Sequence, residues 1–119
     1  MKIIVNKFIP FKGFIAINLF GILFVREEYK YDIDDIIITH ESIHTEQMKE
    51  MLYIFFYIWY GIEWLIKFIL YSCIYKNEIR PYPNISFERE AYINENDILY
   101  LKKRKRYSWL KYVFKKWKN

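Results

Sequence analysis

Apolar and polar positions change rhythm several times along this chain. In the first third, Ile, Val, Leu and Phe gather in short runs at Lys2 to Asn6, Phe14 to Asn18 and Gly21 to Arg26, punctuated by Pro10, Gly13 and Gly21. Short runs of that composition between turn formers predict strands, and Asn18 to Gly21 predicts a tight turn. A small antiparallel sheet is the expectation. Asp32, Asp34 and Asp35 then precede a new apolar run. Carboxylates at that place cap a helix and complement its dipole, so a helix is expected from about Ile36 through Glu50.

Leu52 to Tyr75 is a long apolar stretch, and its length would permit a membrane span. Glu63 and Lys67 lie in its middle, four apart, where a helix pairs them. Tyr53, Tyr57, Tyr60, Trp64, Lys67 and Tyr71 recur at helical spacing and give one face a more polar character. Charges at mid-depth are costly in lipid, so a core or partly interfacial helix is expected ahead of a plain span. Lys76 to Ile85 reads as a loop, marked by Pro81 and Pro83, and Ser86 as the cap of a helix from Phe87 to about Leu101.

At 119 residues the chain fits one domain. Its 54% hydrophobic and 22% aromatic content is ample for a core and excludes the disordered class. Cys73, the sole cysteine, excludes an intramolecular disulfide and a cysteine-based zinc site, and fits a reducing compartment. Met1-Lys2 leads into Ile3-Ile4-Val5, which Asn6 and Lys7 interrupt at once, so no secretory signal is read there. The expected location is cytoplasmic, with a membrane surface as a neighbour. The net charge of +5 belongs to one segment: nine of the 19 basic residues lie between Lys102 and Lys118, leaving ten against 14 acidic residues. The protein as a whole is therefore not to be read as basic.

The chemistry concentrates in His40-Glu41-Ser42-Ile43-His44, which holds both histidines of the chain. Two positions four apart on a helix lie about 40° apart around the axis, so both imidazoles face one way and can share one tetrahedral Zn²⁺. Glu41 projects beside that face, where it can act as a general base toward water without ligating the metal. A catalytic site needs a third protein ligand and an open fourth position. With no further histidine, a carboxylate or, less readily, a tyrosinate must serve. Glu88 is the first candidate: it opens the second helix, Ala91 and Glu95 share its face, and the small Ala91 permits close approach of the first helix. Glu90, on a different side, is the second. Gln47 shares the face of the two histidines and can bond a ligand or substrate. Glu63, Tyr60 and Tyr92 are candidates for supporting or oxyanion roles, although structural use is the simpler reading of each.

His-Glu-x-x-His followed by a later helix opening with Glu-x-x-Ala resembles the gluzincin metallopeptidases, and more narrowly the minimal gluzincin-like domains of uncharacterised bacterial proteins. The resemblance covers Thr39 to Gln47 and Ser86 to Tyr92. It implies an α+β, zincin-like fold: a short N-terminal antiparallel sheet, a motif helix, a long apolar helix and a second ligand-bearing helix. It implies His40, His44 and Glu88 as zinc ligands, Glu41 as general base, a peptide or protein substrate, and Gly21 to Arg26 as an edge strand lining the cleft. Where many gluzincins place Asp after the Ala of the second helix, supporting a ligand histidine, this chain has Tyr92, so that support must come from elsewhere.

The expected division is a zincin-like metal-binding domain at 1–101 and a basic, aromatic segment at 102–119. On a helix, Trp109, Val113 and Trp117, with Leu110 and Phe114 beside them, form an apolar stripe, and Lys111, Lys115 and Lys118 lie opposite. Lys102–Lys118 thus has the composition of an interfacial helix at an anionic membrane. Its charges would also suit nucleic acid, but no nucleic-acid-binding motif accompanies them. The expected function is a zinc-dependent peptidase; the alternative is a non-catalytic zinc-binding or interaction module.

Overall fold

The structure is a computed structural model and describes residues 1–73 and 81–114. The end of the long apolar run at Ile74 and Tyr75, the first part of the expected loop at 76–80, and the tail from Lys115, including Trp117, lie outside the described residues.

Strands β2 (Ala16–Leu19) and β3 (Ile22–Arg26) form a hairpin. Phe20 and Gly21 join them, both with positive φ (53° and 88°), the pattern of the two-residue turn whose twist matches paired strands. Strand β1 (Lys2–Asn6) pairs with the other edge of β3, running parallel to it from Lys2 opposite Ile22 to Asn6 opposite Arg26. The sheet is therefore mixed, in the order β1-β3-β2, and the expectation of a purely antiparallel sheet is corrected. The physical reason is that β2 reverses the chain before β3, so β1 meets β3 pointing the same way. Gly21 to Arg26 is likewise the central strand and not an edge. Leu23 and Val25 suit that place, being wholly buried.

The edge beside the motif helix is β2. Its Asn18 donates from Nδ2 to the backbone oxygen of Glu41 (2.9 Å) and to Oγ1 of Thr45 (3.1 Å). Thr45 also stands against the turn: a Cβ on Gly21 would lie 3.2 Å from its Cγ2. Gly21→Ala adds that contact to the cost of a left-handed alanine, and denaturant unfolding is expected to show a loss of about 1–2 kcal/mol.

Helix α1 (Asp35–Glu50) starts where the acidic run predicts, with Asp34 Oδ1 accepting from the Ile37 N–H at 2.9 Å. The chain then reverses at Leu52 and Tyr53, two non-glycine residues at φ 53° and 60°, with the Tyr53 N–H bonded back to the Met48 carbonyl at 2.7 Å. Helix α2 (Ile54–Cys73) follows. The side it turns to the protein carries Phe56, Glu63, Lys67 and Tyr71, and Lys67 Nζ meets Glu63 Oε2 at 2.6 Å as the spacing predicts.

Helix α3 runs from Ser86 to Asn94, and a short helix α4 from Tyr100 to Lys103. One continuous helix to Leu101 is thus corrected. Asn94 and Asp97 bond to nearby backbone, Asn94 Nδ2 to the Glu90 carbonyl and the Leu99 N–H to Asp97 Oδ1, and such local bonds compete with helix continuation. Ser86 does not cap α3. The carboxylate of Glu63 takes that part, accepting from the Ser86 N–H (2.7 Å), the Ser86 hydroxyl (2.6 Å) and Trp59 Nε1 (2.9 Å) besides Lys67.

The core cluster joins Met48 of α1, Phe56 of α2, Ile85, Phe87 of α3 and Trp109. The described part of the basic segment therefore belongs to the same packing. Arg104 lies between Glu50 and Glu90, and Trp109 is 2% exposed. Ser108–Tyr112 forms a 3₁₀ turn where an α-helical stripe was expected. Lys102 marks a change of charge pattern, while the packing continues past it.

Candidate metal centre

Helix α1 presents His40 and His44 to the first turn of α3, where Glu88 stands. All three residues are buried, at 8%, 5% and 4% exposure. Nε2 of His40 lies 3.2 Å from Nε2 of His44, and Glu88 Oε1 lies 3.2 Å and 3.1 Å from them. Those separations approach the edge of a tetrahedron with metal–ligand bonds of about 2.0–2.1 Å, roughly 3.3 Å. The three residues form a group able to hold a metal ion.

The outer nitrogens fix what the inner atoms offer. His40 Nδ1 lies 2.8 Å from Glu95 Oε2, an acceptor, so it carries the proton. His44 Nδ1 lies 2.8 Å from the oxygen of Gln47. That amide cannot be turned about, because its nitrogen already donates to the Phe87 carbonyl (3.0 Å) and Glu90 Oε1 (2.9 Å). His44 Nδ1 is therefore also a donor. Two imidazole lone pairs and a carboxylate oxygen consequently converge in a buried space with no proton among them when both rings are neutral. Such a set calls for a cation.

Without a metal, a proton takes that place. Burial opposes charge on His44, but Glu88 outweighs it and lifts the imidazole to about 9. Burial likewise opposes charge on Glu88, yet the His44 imidazolium beside it holds its carboxyl far below the ordinary carboxylate range. Tyr60 on α2 donates its hydroxyl to Glu88 Oε2 at 2.8 Å, which leaves Oε1 alone facing the imidazoles.

Glu90 is wholly buried and turned away from this centre. It accepts from Gln47, from the Tyr100 hydroxyl (2.7 Å) and from Arg104 (2.5 Å). It thus braces Gln47, which braces His44. Glu41 is half-buried on α1, directly after His40, and its backbone oxygen accepts from Asn18 Nδ2 of β2. Tyr92 stacks edge-on against His40, ring centroids 4.5 Å apart, and its hydroxyl reaches that of Tyr82 at 3.3 Å. Neither Tyr82 nor the bracing part of Glu95 was anticipated from sequence. Glu95 lay in view, sharing the face of Glu88 and Ala91 two turns on. It supplies the histidine support that Tyr92 does not. Glu95→Gln is expected to weaken metal binding about 10–100-fold with little change in fold, measured by competition with a chromophoric chelator.

Comparison with family models, with curated proteins and with solved structures finds no match to this chain, so the centre rests on its own geometry.

Proposed function

We propose that this chain is a zinc-dependent hydrolase that cleaves peptide bonds, with His40, His44 and Glu88 holding the ion and Glu41 as general base. The observation that carries the reading is the convergence of three buried acceptors on one point, each held from behind by its own partner. Imidazole and carboxylate donors at tetrahedral spacing suit zinc, and three protein ligands leave a fourth position for chemistry. Bound there, zinc would act as a Lewis acid toward water and a substrate carbonyl. Glu41, one residue from a ligand and outside the ligand set, would take the proton of an attacking water and pass it to the leaving amine. The hydroxyls of Tyr82 and Tyr92 stay protonated because burial and nearby carboxylates push both upward. They can donate to a developing oxyanion. The β2 edge beside Glu41 offers backbone groups to an extended peptide.

One observation favours a second reading, a non-catalytic zinc-holding module: each ligand residue is less than a tenth exposed. Glu41→Gln separates the two. In the hydrolase it removes cleavage of a fluorogenic peptide library by about a hundredfold or more while zinc stays bound at full stoichiometry. A zinc-loaded, unaltered chain that cleaves no peptide would leave the module as the surviving reading.

A further inference from the structure

Helix α2 is built inside out for a water-soluble protein. Its two charged residues, Glu63 and Lys67, are buried and paired, whereas Phe55, Ile58, Ile62, Leu65, Ile66 and Ile69 are each half exposed or more. It is the one described helix long and apolar enough to cross a membrane, and only 22% of its most apolar 18-residue stretch is buried. The buried positions Phe56, Glu63, Lys67 and Tyr71 fall within one narrow arc, and exposed Ile54, Trp64, Phe68 and Leu70 extend the apolar surface to either side, so at 100° per residue the apolar exposure wraps roughly two thirds of the circumference. A single partner helix covers a stripe of roughly 100°, which would leave most of that surface in water. Only a surrounding apolar phase covers it all.

Charge stands beside it. Glu50, at the end of α1, accepts from Arg104 and from the Tyr107 N–H (2.5 Å), and Trp109 packs on Trp59 of α2 at 5.1 Å. The exposed Lys105, Arg106 and Lys111 are thereby held next to the first turns of α2. Along its inner face, α2 carries the domain itself: Tyr57 bonds the β2 turn, Tyr60 bonds Glu88, and Glu63 and Lys67 bond Ser86 and the Asn84 carbonyl. A perpendicular span would drag the charged outer side of α1, with exposed Lys49 and its ion-pair partner Glu46, to hydrocarbon depth.

We infer that α2 lies in the plane of an anionic lipid surface, its outer side among the acyl chains, with Lys105, Arg106 and Lys111 at the headgroups and the metal centre on the water side. The inference is independent of the chemistry at that centre. Flotation of the full chain, diluted out of detergent, with phosphatidylcholine vesicles containing or lacking phosphatidylglycerol tests it. The chain is expected to float with both and more tightly with the anionic vesicles. Changing Lys105, Arg106 and Lys111 together to Gln should erase that preference, at roughly fivefold per charge. Ile62→Glu with Leu65→Glu and Ile69→Glu should leave the chain in the dense fraction with its circular dichroism unchanged. A lipid-free chain that forms a discrete dimer and ignores vesicles would overturn the inference. Proteolysis showing the two ends of α2 on opposite sides of a sealed vesicle would do so as well.

Discussion

The His44→Ala chain is expected to hold no stoichiometric zinc where the unaltered chain holds one ion, read by elemental analysis after dialysis. Structural zinc binds with about 10–16 kcal/mol spread over its ligands, so removing one of three protein ligands costs about 3–5 kcal/mol, or 10²–10⁴-fold in affinity. The pH dependence has a definite sign. In the metal-free fold Glu88 raises His44 to about 9, above its ordinary value near 6.5. The protonated His44–Glu88 pair therefore stabilises the metal-free fold fully below about pH 6.5, and that contribution is lost as pH rises through about 9. Zinc must displace this proton, so its apparent affinity rises with pH over the same range. Calorimetry near neutral pH in buffers of different ionisation enthalpy should find about one proton released. Zinc retained by His44→Ala, or bound without proton release, would contradict the centre described above.

Glu63→Ala is expected to cost about 3–5 kcal/mol, because it strands the buried Lys67 ammonium and leaves the first turn of α3 uncapped at once. Against a total of about 5–15 kcal/mol for a domain of this kind, that is a large fraction. Lys67→Met should cost less, since Glu63 keeps Trp59 Nε1 and both donors of Ser86. Urea titration of the two variants gives the order. Because Ser86 is two residues from Glu88, Glu63→Ala should also weaken zinc binding, whereas equal losses in the two variants would deny Glu63 its capping part.

The members of the metal-capable cluster are legible in the sequence because they obey local rules. His40 and His44 share a face by helical spacing, and Glu88 stands in the first turn of a helix that small Ala91 lets approach. Glu95 was visible on that same face but could be assigned only once α3 was docked on α1. The parallel pairing of β1 with β3 depends on contacts twenty residues apart, which no local pattern encodes. The reversal at Leu52 and Tyr53 carries no Gly or Pro signal; tertiary packing of Tyr53 on the core holds it. Periodicity showed that α2 has two unlike faces. It could not show that the apolar one turns outward, since the usual assumption runs the other way.

The buried Glu90 has a wider meaning. Its counter-ion, Arg104, comes from beyond Leu101, and Gln47 hangs on the same carboxylate. A protease that clipped the chain just before Arg104 would leave an anion in a dry interior, two bonds of contact away from His44. The basic segment is thus a keystone for the histidine cluster, and damage to it would be felt at the two imidazoles themselves.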